Sequence, residues 1–262
     1  MIRELLTYLF ERPLLSEART FGHLSESISL LSRESRCQKS WLPHRTQCKN
    51  FIKDHLKLAS HFDSVLVLGS GPLHEVPIEE LSKAFKKVTL VDIVHLKNTK
   101  ESVAHLKNIV FVEHDITELE HSLHHDKNLI DHVPQKFLDE DWGLVLSVNL
   151  MSQLPIHLEK YINKKLKNKF SSQDVSRYLQ NSTRNHLAYL HLFNAPFIII
   201  TDTEVHYCDK NDNVIQIDKN YEHLSLPEKL SSWSWSLAPI PEFQKDIAIK
   251  MKVSAFMIKK HK

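Results

Sequence analysis

From residue 64 onward, short unbroken apolar runs alternate with longer amphipathic stretches, and few architectures accept that pattern. Residues 65–68, 88–91, 109–112, 144–148 and 197–200 are each of strand length and largely unalternated. A strand that is apolar at successive positions must be covered on both faces, as strands of a parallel sheet are. Helix-spaced patterns lie between or beside these runs, at 78–85, 96–106, 154–166 and 175–193. Pro77 stands just before the first of them, where a proline suits the opening turn of a helix. Strand–helix alternation of this kind predicts an α/β fold, a parallel sheet with helices on both faces.

The flanks differ. Residues 1–60 carry no strand signal. Ile2, Leu5, Leu6, Leu9 and Phe10 recur at helix spacing, Ile28, Leu30 and Leu31 suggest a second helix, and residues 48–59 a third. Pro43 disfavours helix at Leu42, so a break is expected across Trp41-Leu42-Pro43-His44. After the fifth apolar run, a turn cluster at 209–213 separates 205–208 from 214–217 and predicts a hairpin insertion. Residues 247–258 alternate at strand spacing. The expected division is therefore a helical extension at 1–60 and a sheet domain at 61–262.

Composition narrows the setting. The 262 residues are 42% hydrophobic and 25% charged, with a net charge of +2 when the eighteen histidines are neutral. That balance lacks the localised basic stripe of a nucleic-acid binder. The lysine-rich stretch 160–169 falls in a helical pattern and reads as a solvated face. Three cysteines without a Cys-x-x-Cys make neither a disulfide framework nor a zinc knuckle, which suits a reducing, cytoplasmic setting. Residues 1–15 are broken by Arg3, Glu4, Glu11 and Arg12, unlike a secretory signal, and no run is long enough for a membrane span.

With only four glycines in the chain, the pair in Gly69-Ser70-Gly71 carries weight. The tripeptide follows a buried strand and precedes a helix, where glycine lets the backbone turn sharply and approach a ligand. At the end of the next strand, 21 residues after Gly71, stands Asp92. A carboxylate there accepts both hydroxyl hydrogens of a ribose. At the end of the third strand stands Asp115, within Glu113-His114-Asp115-Ile116, where a polar side chain meets an adenine amino group and Ile116 covers the ring.

The Gly69-Ser70-Gly71 loop, Leu90-Val91-Asp92 and Glu113-His114-Asp115, in this order and spacing, resemble the class I S-adenosylmethionine-dependent methyltransferases. The resemblance covers roughly residues 60–205. It implies a Rossmann-like, mostly parallel seven-stranded sheet whose last strand, ending near Ile258, runs antiparallel. It also implies S-adenosylmethionine as cofactor, held by Gly69, Ser70, Gly71, Asp92, Ile93, Asp115, Ile116 and Asn149. Within that set Gly69 and Gly71 would line the methionine portion, Asp92 the ribose and Asp115 the adenine. Two departures stand out: Leu73 occupies the place of the family's common third glycine, and the acidic residue often found at the start of the first motif is missing. Glu75 is a candidate substitute for that acid.

On the acceptor side, Ser147-Val148-Asn149-Leu150-Met151-Ser152-Gln153 follows the fourth strand and faces the donor methyl by this resemblance. The Asn/Asp-Pro-Pro-aromatic motif of nucleic-acid amino methyltransferases is absent, so a small molecule or protein acceptor is favoured over nucleic acid. Asn149, Ser152 and Gln153 are able to hydrogen-bond a substrate, and Ser152 and Gln153 suit equally the capping of the next helix. The fifth strand ends at Thr201-Asp202-Thr203-Glu204-Val205-His206, and regular alternation would put Asp202, Glu204 and His206 on one face. Asn149, Asp202 and His206 are the catalytic candidates, and Asp202 with Glu204 would suit an amino or cationic substrate. His74 is a further candidate base. Trp233 and Trp235 read as core or lid residues. No metal is expected. Two rival readings remain open at this stage: a non-catalytic methyltransferase-like binding protein, and a nucleotide-dependent oxidoreductase. The acceptor and the oligomeric state are not written in these motifs.

Overall fold

The apolar runs become strands covered on both sides. In the computed structural model, which describes residues 2–260, β1 (Ser64–Leu68) and β4 (Leu144–Val148) are buried at every position. Flanking them are β2 (Lys87–Asp92), β3 (Ile109–Glu113) and β5 (Phe197–Asp209). All four pairings among these five strands are parallel, with Val65 opposite both Val88 and Leu144. Successive residues of β1 point to opposite faces, as a strand requires. Val65 and Val67 join one core, shared with Trp41, Ile52 and Leu81, while Leu66 and Leu68 join another, shared with Tyr189, Leu190 and Phe193.

Helices close both layers: α4 (Ile78–Ala84), α5 (Lys97–Ser102), α6 (Glu120–His125), α7 (Leu154–Lys165) and α8 (Ser172–Leu192). The α8 N-cap, Ser171, accepts the Asp174 N–H, which explains why that helix begins where it does. The remaining strands are β6 (Val214–Lys219), β7 (Lys229–Ala238) and β8 (Ile247–Ile258). The sheet order is β3-β2-β1-β4-β5-β8-β7. The chain's last strand, β8, runs antiparallel between β5 and β7. The expected hairpin adds an eighth strand: β6 pairs only with the far half of β5 and is exposed along its length.

The N-terminal region is helical: α1 (Ile2–Phe10), α2 (Glu17–Thr20) and α3 (His23–His55), followed by a 3-10 turn at Leu56–Leu58. The break expected at Pro43 does not occur, because α3 runs 33 residues straight through it. Proline inside a helix costs about 3 kcal/mol through its missing N–H and its ring. Burial on both sides of Pro43 offsets that cost. Trp41, His44, Cys48 and Ile52 are all buried, and the Trp41 indole N–H donates to the Leu237 carbonyl of β7 at 2.9 Å. Tertiary packing overrides a local signal here. The helix thereby lies along the open end of the sheet.

Candidate functional site

The strand order reverses direction between β1 and β4, since the chain leaves β1 toward β2 and leaves β4 toward β5. In open α/β sheets such a switch point leaves a crevice beyond the carboxyl ends of the strands. A cavity of about 580 Å³ lies there. Its wall includes Gly69, Gly71, Asp92, Ile93, Asp115 and Ile116, and on the far side Asn149 and Asp202. Helix α3 contributes a second wall through residues from His23 to Trp41.

The glycine loop is shaped by two separate needs. Gly69 has φ +74°, and a Cβ there would sit 2.7 Å from Leu150 Cβ and 3.0 Å from the Val148 carbonyl oxygen. Glycine is required because the loops after β1 and β4 touch. Gly71 has φ +48°, and a Cβ there would meet nothing within 4 Å. That glycine faces open space. Leu73, the substitute for a third glycine, also has a left-handed φ of +67° and buries its side chain in the core. The strain of such a conformation is about 1–2 kcal/mol, and burial of a leucine contributes a similar amount. The loop therefore keeps its shape without the glycine.

Asp92 is tied to this loop. Its Oδ2 accepts the Gly71 N–H at 2.8 Å and its Oδ1 accepts the Ile93 N–H at 2.8 Å. Burial pushes this carboxyl above its ordinary range, and the backbone N–H donors pull the other way. Each oxygen retains lone pairs for further donors. Asp115 does double duty. Its Oδ1 accepts from the Thr117 backbone N–H and hydroxyl, at 2.9 and 2.6 Å, and its Oδ2 accepts from the Glu120 N–H at 2.9 Å. It thus pins the start of α6 while lining the cavity. Ser70 turns the other way: its hydroxyl is hydrogen-bonded to His95 Nε2 at 2.9 Å, both side chains are buried, and neither lines the cavity. The side chain of this expected cofactor residue braces the loop from behind. Its backbone N–H is also spent, donating to Val91 at 3.2 Å.

Beyond Asp115, Glu120 and His23 close one end. Glu120 Oε1 lies 2.5 Å from His23 Nε2, and its Oε2 has no partner among the described residues. Burial raises this carboxyl well above its ordinary value, and the nearby Asp115 adds to the effect. The His23 ring lies against that of His157, tilted by 32° with centroids 3.8 Å apart. No sequence signal marked this trio, which links α3, α6 and α7.

At the other end Asn149 adopts φ +47° and donates its backbone N–H to the Ile200 carbonyl at 2.8 Å. Its side chain meets His44 Nε2 at 3.0 Å. His44 is fully buried, stacked on Trp235 at 4.1 Å, and accepts the Trp233 indole N–H at Nδ1, 3.0 Å away. Burial, with a smaller contribution from Arg45, pushes His44 down to about 3, so it is neutral. An indole only donates, so the one imidazole proton sits on Nε2. The group facing Nε2 must then accept, which orients the Asn149 amide with its oxygen toward His44. Glu75 Oε1 lies 3.9 Å from the same nitrogen, its carboxyl pushed up by burial.

Asp202 is held by neutral partners. Its Oδ1 accepts the Ser152 hydroxyl at 2.5 Å and its Oδ2 accepts the Asn220 amide at 2.6 Å, and burial raises its carboxyl. Ser152 therefore serves Asp202 rather than capping α7, and Gln153 donates its amide to the Asn149 carbonyl at 2.6 Å. The expectation that Asp202, Glu204 and His206 share a face is overturned. The β5–β8 register shifts between Asp202 and Glu204, so Asp202 pairs with Val253 and Glu204 with the adjacent Lys252. A bulge of this kind reverses the side-chain alternation beyond it. Asp202 and Val205 line the cavity, whereas His206 does not. His206 Nε2 pairs with Glu204 at 2.7 Å, and Lys252 holds the other Glu204 oxygen at 2.8 Å. Among the described residues one trio brings metal-type ligand atoms within 4.8 Å of one another: Glu17, His121 and His125, away from the cavity wall.

No protein-family model matches the chain, and no curated protein sequence matches it. Solved structures give distant likenesses. DhpI in its SAH complex is 14% identical with a TM-score of 0.40, covering 87% of this chain and 94% of that one. The Burkholderia thailandensis 1,6-didemethyltoxoflavin-N1-methyltransferase, with 1,6-didemethyltoxoflavin and S-adenosylhomocysteine bound, is 13% identical with a TM-score of 0.39, covering 94% of this chain and 92% of that one. The N-methyltransferase NodS from Bradyrhizobium japonicum WM9, bound to S-adenosylhomocysteine, is 10% identical with a TM-score of 0.37, covering 81% and 85%.

Proposed function

We propose that the chain binds S-adenosylmethionine at the β1–β4 switch point and transfers its methyl group to a small acceptor. The observation that carries this reading is Asp92. It is a carboxylate at the end of β2, anchored by the Gly71 and Ile93 N–H groups, on the wall of a 580 Å³ cavity. That size lies within the roughly 300–1,000 Å³ range of small-ligand sites.

The residues fit the group. Gly71 leaves its flank of the loop free of any atom that would block a ligand. Asp92 accepts the ribose hydroxyls, and their donation stabilises a carboxylate that burial alone disfavours. Asp115 keeps lone pairs for an adenine amino group, with Ile93 and Ile116 as apolar cover. Glu75, half-buried and without an ion-paired cation in hydrogen-bond range among the described residues, suits the methionine ammonium. The bound cofactor supplies an electrophilic methyl on a sulfonium. The protein's task is to hold the acceptor in line with that methyl and exclude water. Asn149, with Asp202 across the cavity, performs the first part, and α3 the second. Residues 1–60 act in this reading as a cap on the binding domain formed by 61–262.

Leu73 keeps a left-handed backbone, so the lost glycine does not argue for a binding-only protein. No helix among the described residues is long and apolar enough to cross a membrane. Calorimetric titration with S-adenosylhomocysteine tests the reading: a micromolar Kd, weakened in Asp92→Ala, is expected. Absence of binding at millimolar ligand would overturn it.

A further inference from the structure

The charge on the cavity wall is opposite to that of the chain. The protein carries a net +2, yet the wall presents Glu26, Glu75, Asp92, Asp115, Glu120 and Asp202 against one arginine and one lysine. Three of its four histidines, His23, His74 and His157, are held neutral by burial. Most of these carboxylates have an assignment. Glu26 pairs with Lys160 at 3.2 Å, and Glu120 is bonded to His23. Asp92, Asp115 and Glu75 are taken by the cofactor in the reading above. Asp202 remains, 5% exposed, and among the described residues its side-chain partners are a serine hydroxyl and an asparagine amide. Buried carboxylates are normally matched by a cation or by donors enough to fill their lone pairs. Two donors leave about half of those positions open.

A second, independent observation comes from the wall beside Asp202. Trp235 is 8% exposed and lines the cavity, and its Nε1–H has no hydrogen-bond partner among the described residues. A buried indole N–H without an acceptor costs about 1–3 kcal/mol. Trp235 stands with Val205, Leu237 and Met251 on an apolar stretch of the wall beside Asp202 in the same cavity.

Resting on the methyltransferase reading, we propose that the acceptor is a small amine. Its nitrogen is received by Asp202, and its carbon part lies against the apolar stretch of Val205, Trp235, Leu237 and Met251. A cavity of about 580 Å³ is of small-ligand size, which suits a small molecule as acceptor. The stoichiometry suits Asp202. An amine arriving as an ammonium ion gives one proton to the Asp202 carboxylate, and the N–H bonding pair left on nitrogen becomes the lone pair that attacks. The new N–CH3 bond forms as the S–CH3 bond breaks, and the sulfur keeps that bonding pair. Ser152 and Asn220 are positioning residues that hold the carboxylate in place.

The test uses the full chain saturated with S-adenosylhomocysteine, titrated calorimetrically with ethanolamine and n-butylamine and with their neutral counterparts ethylene glycol and n-butanol. The amines should bind about tenfold or more tightly than the alcohols, the gain of a charge-assisted hydrogen bond. Asp202→Asn, isosteric and checked for folding by circular dichroism, should abolish that preference while leaving the S-adenosylhomocysteine Kd within about twofold. Ser152→Ala, which frees the carboxylate, should reduce the preference in part. Equal binding of alcohols, no binding of either amine to the loaded protein, or a preference that survives Asp202→Asn would overturn the proposal. Methylation of a lysine-containing peptide without binding of free amines would overturn it too. Failure to bind S-adenosylhomocysteine at all would instead sink the methyltransferase reading, so the two failures are distinct.

Discussion

The two ends of the cavity are built by different means. At the end formed by Gly71, Asp92 and Asp115, each carboxylate is anchored by backbone N–H groups of strand-end loops: Asp92 by Gly71 and Ile93, Asp115 by Thr117 and Glu120. At the other end, side chains hold side chains across long stretches of sequence. Asn149 meets His44 across 105 residues, Trp233 meets His44 across 189, and Ser152 meets Asp202 across 50. The first end is a property of the βα units that carry it. The second exists only when α3, β4, β5 and β7 have all assembled. In the proposed function, the cofactor grip is local and acceptor recognition is left to the tertiary fold.

Acidification should act on buried histidines at both ends, and on His44 more strongly than on any other single one. The folded state holds His44 down at about 3, whereas the unfolded chain protonates near 6.5. Stability from this group is fully present above pH 6.5 and is lost as pH falls toward 3, on the order of 4 kcal/mol over that window. Asp92 and Asp202, with raised carboxyls, run the opposite way: their contribution is present at low pH and fades as pH rises through the folded value. Urea unfolding at pH 7 and 4.5 reads the balance. A His44→Gln variant should show a visibly flatter pH dependence, and an unchanged slope would mean that His44 is not held neutral.

Gly69→Ala should rank next, costing about 3 kcal/mol in unfolding free energy, because the added Cβ collides with Leu150 in a left-handed backbone. This substitution joins both ends, since it drives the β1 loop away from the β4 loop that carries Asn149. Asp92→Ala should weaken S-adenosylhomocysteine by about 1–3 kcal/mol, read by calorimetry. Affinity unchanged in that variant would move the ribose elsewhere. Gly71→Ala, with no collision to relieve, should cost only about 1–2 kcal/mol of stability from its φ of +48°. Smallest of all, Arg36→Ala removes a half-exposed ion pair to Glu242 that ties α3 to the loop after β7. Its thermal shift should correspond to under about 1 kcal/mol.

The cofactor end was largely legible before folding. Strands covered on both faces must be apolar throughout, so β1, β2 and β4 announce themselves, and the residues at their carboxyl ends follow by position. Ser70 was the exception, since which way a loop serine points depends on His95, another element's residue. The acceptor end was legible only as a set of residue types. Nothing near Pro43 shows that Trp41 and His44 will find Leu237 and Trp233 to offset the proline. Nothing in Thr201-Asp202-Thr203-Glu204-Val205-His206 shows the register shift that sends Asp202 into the cavity and His206 away from it. Glu120 and His23 were silent for the same reason.

The amino-acid sequence by itself determined the strand–helix alternation, the turn after β1 and the carboxylates at the ends of β2 and β3. All of these are set by interactions within a few residues or by the burial of an unbroken apolar run. Only the tertiary structure decided the rest: that a proline-bearing helix would line the cavity, that Leu73 would hold a glycine's conformation, and that one carboxylate of β5 would face a ligand while its neighbours paired among themselves. Those outcomes turn on packing and hydrogen bonds between distant elements, where a kilocalorie or two of local preference is outweighed by what is buried.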